Sequence, residues 1–209
     1  MTQHTTQTTD QSGAPTGIDD AATVVVRREI RIAAPIEQVW RLHTDVDAWP
    51  TWQTDVDTAH TDGPLQPGAT FRWSTHGLDV TSTVYALDAP HRILWGGPAM
   101  GITGIHEWTF TADGDATVVR TAESWEGDPV RADTDNLRAA LDASLGNWLE
   151  LLRQTAETRA AEQTKRTRRR RFAKGLAWGA VLITAAFVLA EPWLLVPVLM
   201  FGAALSLWD

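Results

Sequence analysis

Two polar residues, His106 and Glu123, lie in segments that otherwise alternate apolar side chains, and an imidazole beside a carboxylate is a pair able to move a proton. In the segment 104–111, Trp108 and Phe110 mark one face, and His106 shares it because successive strand side chains point to opposite sides. In the segment 117–125, Val119 and Trp125 mark the same inner face and Arg120 the outer one, so Thr121 and Glu123 join His106 on the apolar wall. A two-residue turn at Asp113-Gly114 would set His106 opposite Thr121 with Glu123 diagonal, whereas a four-residue loop would set it directly opposite Glu123. Either register allows a His–Glu contact. A buried carboxylate is expected to raise the pKa of the histidine and orient one ring nitrogen, as a general base for enolisation or dehydration requires. The same pair serves equally as a hydrogen-bonded network that positions a ligand carbonyl.

Other chemistries find less support. The chain has no cysteine, which excludes disulfides, thiol catalysis and zinc–thiolate sites. His43, His60, His76 and His91 share no metal-ligand spacing, and Asp45, Asp47, Asp55 and Asp57 lack the glycine and closing glutamate of a calcium loop; caps and turns account for them. Gly96-Gly97-Pro98-Ala99-Met100-Gly101 lacks the lysine and the strand–loop–helix setting of a phosphate cradle and reads as a flexible strand connection. With Trp49-Pro50-x-Trp52, Phe71 and Trp73, it is a candidate rim or gate. No metal or cofactor is expected.

The elements that position these residues follow from periodicity. A strand is predicted over 23–32, and Pro35 then opens a short helix with Ile36, Val39, Trp40 and His43 on one face. Residues 45–52 form a second short helix or turn. Alternating segments at 70–75, 78–87, 92–96, 104–111 and 117–125 are strands of a meander, with a hairpin turn at Asp113-Gly114. From about Asp135 the period becomes helical, and Leu137, Leu141, Leu145, Trp148 and Leu152 form one stripe on a helix that reaches toward Thr164. Such a helix has one place to lay its apolar face, across the concave side of the sheet.

The C-terminus is of another kind. Lys165, Arg166, Arg168, Arg169, Arg170, Arg171 and Lys174 form a basic run, followed by two uncharged 16-residue stretches, 175–190 and 193–208, separated by Glu191-Pro192. Each would reach about 24 Å as a helix against a hydrocarbon core of roughly 30 Å, and Phe172 and Ala173 lengthen the first. The expected arrangement is a membrane-anchoring helical hairpin turning at 191–192, with a single span and an interfacial tail as the alternative. Trp178, Trp193 and Trp208 would fall near the interfaces, and the basic run places the preceding domain on the cytoplasmic side of the cell membrane. Residues 1–164 carry 11 Arg and no Lys against 24 acids, so this body should be repelled by nucleic acid and by anionic headgroups. The chain is thus divided into a disordered tail (1–21), a folded domain (22–164), a basic juxtamembrane segment (165–174) and an anchor (175–209).

The run Ile32-Ala33-Ala34-Pro35…Val39-Trp40…Thr44-Asp45…Trp49-Pro50-x-Trp52, with Gly68-x-x-Phe71-Arg72-Trp73, His106-x-Trp108-Thr109-Phe110 and Glu123-Ser124-Trp125-Glu126-Gly127, resembles the START-like superfamily. The closer likeness is to its polyketide cyclase/dehydrase and lipid-transport branch, the SRPBCC proteins, and it covers about 23–156. The resemblance implies an α+β helix-grip fold, an antiparallel sheet wrapped around a long C-terminal helix, with a deep cavity for a lipid, polyketide or other hydrophobic molecule. It implies no single reaction, because members include carriers, cyclases and partner-binding modules. Trp49, Trp52, Phe71, Trp73 and Trp108 are the expected apolar ligand contacts, with Trp148 from the helix and His106, Thr121 and Glu123 as the polar ones. The leading expectation is a membrane-anchored binding or transport module; the rival is a cyclase/dehydratase with His106 and Glu123 catalytic.

Overall fold

The structure, a computed structural model, describes residues 13–190, with side chains to residue 171. The chain divides into two compact units, Met1–Ala160 and Ala161–Asp209. In the first, β1 (Val24–Ile32) leads to α1 (Ile36–Thr44) and a 3-10 helix (Val46–Thr51). The strands β2 (Thr58–Thr61), β3 (Thr70–Thr75), β4 (Leu78–Asp88), β5 (Arg92–Ala99), β6 (Ile102–Asp113) and β7 (Ala116–Glu126) follow as a meander. A short α2 (Asp128–Ala132) then precedes α3 (Thr134–Ala190). All seven strands form one antiparallel sheet in the order β1-β7-β6-β5-β4-β3-β2. The first strand thus closes against the last, and α1 with the 3-10 helix forms the crossover. This is the expected helix-grip architecture.

The local sequence explains each early element. Pro35 caps α1 with extended backbone, and Ile36, Val39, Trp40, Leu42 and His43 bury its inner face. The helix stops at Asp45, whose N–H bonds the Arg41 carbonyl. Trp49 ties the 3-10 helix back to α1 by donating its indole N–H to the His43 carbonyl, 2.7 Å away. Its ring is the hub of the core, packing edge-on against Phe71 (5.5 Å), Trp73 (6.1 Å) and Trp148 (5.1 Å). Such pairs add about 0.5–1.5 kcal/mol each beyond area burial.

The stripe on α3 does lie across the sheet. Trp148, Leu149, Leu152 and Ala156 join the main core with Ile32, Trp40 and Phe110. Leu141 and Leu145 join a smaller cluster with Val24, Val26 and Val130. The Arg28 guanidinium reaches from β1 to Asp142 on α3 at 2.7 Å, and Gln38 donates to the Ala156 carbonyl at 3.1 Å. Among the described residues no helix is long and apolar enough to cross a membrane. The uncharged stretches 175–190 and 193–208, the turn at 191–192 and thus the anchor lie outside the residues whose side chains are described. In the second unit, residues 161–171 are helical and exposed, including the start of the basic run.

Four expectations are corrected. The glycine-rich stretch 96–101 is no flexible loop: Gly96 to Ala99 complete β5, and only Met100 and Gly101, both at positive φ, make the turn to β6. The hairpin from β6 to β7 turns one residue later than Asp113-Gly114, because Asp113 pairs with Ala116 and leaves Gly114-Asp115 as the turn. The short edge strand β2 and the five-residue α2 have no counterpart in the periodicity reading. Residues 13–21, assigned to a disordered tail, are held on the outer face: the Asp19 N–H donates to Ser124 Oγ at 3.1 Å, and Arg92 donates to the Thr16 carbonyl at 2.6 Å.

His43 is the least compensated polar group in the core. Its ring lies 4.4 Å from that of Trp108 and 5.4 Å from Phe110, and neither nitrogen has a hydrogen-bond partner among the described residues. Burial lowers its pKa from 6.5 to about 3. The unfolded chain therefore binds a proton that the folded one refuses. Stability carried by this site is present above pH 6.5 and is lost as pH falls toward 3. His43→Phe should keep the ring packing and flatten the acid limb of a urea-unfolding series between pH 6.5 and 3.5. An unchanged acid slope would show that this ring is not buried neutral.

Candidate functional site

Between the sheet and α3 lies a cavity of about 310 Å³. Its floor is a patch of the inner face of the sheet. Trp125, Gly104 and Gly97 form one row across β7, β6 and β5, and Glu123, His106 and Trp95 form the next. Trp73 and Ser82 close the β3–β4 side, and Leu141, Ser144, Leu145 and Trp148 from α3 form the roof. The mouth lies at two hairpin tips, His76 and Leu78 on one and Met100, 75% exposed, on the other.

The His106–Glu123 pair forms as anticipated from strand parity. The register sets the two residues directly opposite, and the delayed two-residue turn, not a four-residue loop, produces it. His106 Nδ1 lies 3.2 Å from Glu123 Oε2, while Nε2 lies 2.6 Å from Thr121 Oγ1. The other carboxylate oxygen, Oε1, accepts the Trp125 indole N–H at 2.7 Å. The imidazole is therefore held at both nitrogens, and Glu123 at both oxygens.

Of the anticipated ligand contacts, Trp73, His106, Glu123 and Trp148 line the cavity. Thr121 is buried behind it and acts on His106. Trp49, Trp52, Phe71 and Trp108 do not line it; they are buried in the main core beneath α1, the 3-10 helix and α3. The rim role expected of Trp49-Pro50-x-Trp52 is corrected accordingly. Strand parity tells which face a residue takes, not which part of that face a helix covers. Trp95, Ser82, Gly104 and Ser144 were missed as site residues. Trp95 had a usable signal, since it lies in a predicted strand beside the one that carries His106. The described residues include no group of three or more His, Asp or Glu that could hold a metal ion.

Comparison with known proteins agrees with this fold. A family model for polyketide cyclase/dehydrase and lipid transport matches residues 23–175. No curated protein sequence matches the chain. The hypothetical protein jhp0584 from Helicobacter pylori superposes with a TM-score of 0.59 at 21% identity, over 66% of this chain and 91% of that one. The Zhui aromatase/cyclase from Streptomyces sp. R1128 gives 0.56 at 19% identity, over 65% and 94%. A START superfamily protein from Mycobacterium smegmatis gives 0.51 at 16%, over 66% and 98%. At these identities the solved structures share the fold.

The electrostatics of the pair differ from the expectation. The pKa of His106 is not raised but lowered well below 6.5, first by burial and second by the nearby His43. Burial pushes Glu123 up to about 7, against the opposing effect of the Trp125 hydrogen bond. The carboxylate that was to raise the histidine pKa is itself largely protonated below neutrality, so desolvation outweighs the mutual attraction. The Glu123 side chain remains 15% exposed toward the cavity. Because its folded pKa exceeds its unfolded value, the folded state holds the extra proton between pH 4.5 and 7, and stability falls as pH rises through that window. Glu123→Gln keeps an acceptor for Trp125 and removes the titration. The stability of this variant relative to the parent should grow from pH 4.5 to 7, by up to about 3 kcal/mol, and then level off. A difference independent of pH in calorimetric scans would show that Glu123 titrates normally.

Proposed function

This chain belongs to the polyketide cyclase/dehydrase and lipid-transport family, and from that membership we propose that its folded domain binds one compact hydrophobic molecule between sheet and α3. The observation that carries the reading is the cavity. Its volume of 310 Å³ stands at the lower end of small-molecule sites, roughly 300–1,000 Å³. Apolar side chains, four indoles among them, form most of its wall, and the His106–Glu123 pair is its buried polar feature. Affinity then comes mainly from apolar burial, at about 25 cal/mol per Å² removed from water, while the polar pair orients the ligand.

The same pair supports a second reading, a cyclase/dehydratase. A neutral imidazole that releases one of its two internal partners can take a proton next to a carbonyl, and a carboxyl that keeps its proton near neutrality can give one to a leaving hydroxyl. Binding is the primary reading because the pair is engaged within the protein at every heteroatom. His106→Gln and Glu123→Gln separate the two. For a carrier, both variants should retain co-purifying hydrophobic ligand, measured by native mass spectrometry, within a few-fold of the parent. For an enzyme, turnover of a poly-β-ketone thioester should drop roughly 100- to 10,000-fold with binding intact, an outcome that would displace the carrier reading.

The domain works at a membrane in this proposal. The basic run 165–174 and the uncharged stretches 175–190 and 193–208 support a C-terminal anchor that keeps residues 22–164 on the cytoplasmic side. The hydrophobic ligand would then be drawn from a compartment in which it is concentrated. A protease-accessible tag placed after Asp209 should remain protected in sealed, right-side-out cells if 191–192 is a hairpin turn. Cleavage from outside would establish a single span, and recovery of the full-length chain from the soluble fraction would remove the anchor altogether.

A further inference from the structure

The family match begins at residue 23, yet the nine residues before Ala22 are tied to the back of the sheet. The Asp19 N–H donates to Ser124 Oγ on β7 at 3.1 Å, and the Thr16 carbonyl accepts from Arg92 on β5 at 2.6 Å. Asp20 pairs with Arg27 on β1, and the Asp19 carboxylate fixes the local turn by accepting the Ala21 N–H at 2.9 Å. Pro15, Gly17 and Ile18 are half-buried. Residues 13–21 are therefore a strap that runs from the β1–β7 side of the sheet toward β5.

The points it engages stand directly behind the polar row of the inner face. Glu123, His106 and Trp95 pair side by side across β7, β6 and β5, and each has a chain neighbour that points outward. Ser124 follows Glu123; it holds the Asp19 N–H and is only 2% exposed. Glu107 follows His106 and accepts from Arg92 Nε at 2.6 Å, the same guanidinium that holds Thr16. Leu94 precedes Trp95; it is fully buried although it points away from α3 and belongs to neither core cluster. A buried leucine on the outer face of a sheet needs a cover, and the strap is the segment laid over that face.

The inner row has narrow tolerances. The His106–Glu123 contact of 3.2 Å and the Trp125–Glu123 bond of 2.7 Å both depend on where β6 and β7 hold their backbones. Polar geometry in a site stays within about 0.5 Å only where the residues behind it are themselves fixed. We propose that the strap, residues 13–21, is the positioning element of the polar pair: by holding Ser124 and the Arg92–Glu107 pair from behind, it keeps the imidazole and the carboxylate in contact. The proposal goes beyond the binding reading and does not depend on it, since the pair needs this support whether it orients a ligand or moves a proton.

The test compares the full chain in lipid nanodiscs with a variant lacking residues 2–21 and with Asp19→Pro, which removes the N–H that Ser124 holds and leaves the sheet sequence intact. Amide exchange followed by mass spectrometry should accelerate about 10-fold or more over 103–109 and 120–126 in the deletion variant, and stay within about two-fold over the β3–β4 hairpin. The Trp125 indole N–H resonance, assigned with Trp125→Phe, reports the bond to Glu123 and should move upfield as that bond lengthens. Asp19→Pro should give both effects at smaller size, and it carries the test if the deletion variant does not fold. Acceleration spread equally over the β3–β4 hairpin would make the strap a general support and overturn the proposal. A Trp125 resonance unmoved in both variants would overturn it too, by showing the pair indifferent to the strap. Either failure leaves the hydrophobic-ligand reading standing, because neither readout involves a ligand.

Discussion

The close approach of β5 to both its neighbours, β6 at Gly96 and β4 at Gly97, is the constraint on which this part of the sheet depends. The carbonyl of Gly104 occupies the place a side chain would need at Gly96, and the carbonyl of Thr81 does the same at Gly97. With any larger residue the strands would have to separate, and the sheet could not take this local shape. The inner face of the sheet also carries α3. Trp148, Leu149, Leu152 and Ala156 pack on one part, and Leu141 and Leu145 on another. The cavity touches both groups, since Leu141, Leu145 and Trp148 all line it. It lies between the glycine-containing part of β5 and β6 and residues 140–148 of α3.

Polar groups inside this shell are neutralised more by burial than by pairing. His43, with no partner, and His106, with two, both favour the uncharged imidazole. Glu123 favours the protonated carboxyl even though His106 is 3.2 Å away. An ion pair here would have to repay the desolvation of two charges, and a single contact in a tryptophan-walled site does not do so. The consequence for function is that the wall presents hydrogen-bonding groups with little net charge, which suits a neutral ligand. Strong ion pairing is left to the exterior, where Arg131 bonds Glu126 and Asp128, and where Glu126 also accepts both the N–H and the hydroxyl of Thr23 at 2.7 Å.

Much of this was legible in the sequence, and the limits have physical causes. Alternation located five strands of the meander because each has one face in the core, whereas β2, Thr-Ala-His-Thr, lies at the sheet edge with little burial to leave a pattern. Parity put His106, Thr121 and Glu123 on one wall. It could not choose the register, which depends on a glycine adopting φ +62° at the first turn position after Asp113. The pKa direction for His106 was misjudged because adjacency of two residue types says nothing of how dry their surroundings are. Trp49, Trp52, Phe71 and Trp108 were assigned to the ligand because tryptophan and phenylalanine look alike in a core and in a binding wall; only the position of α1 and the 3-10 helix separates the two uses.

Gly104 exposes the complementary blind spot. Sequence reading looks for side chains that could act, and a site can be defined by one that is absent. Glycines at 96, 97 and 101 drew attention as a cluster and proved to serve close backbone approach at 96 and 97 and a tight turn at 101. Gly104 lies instead under the Trp125 indole and the Glu123 carboxylate, both 3.5 Å from where its Cβ would stand, so the missing side chain leaves room for the hydrogen bond that holds the polar pair.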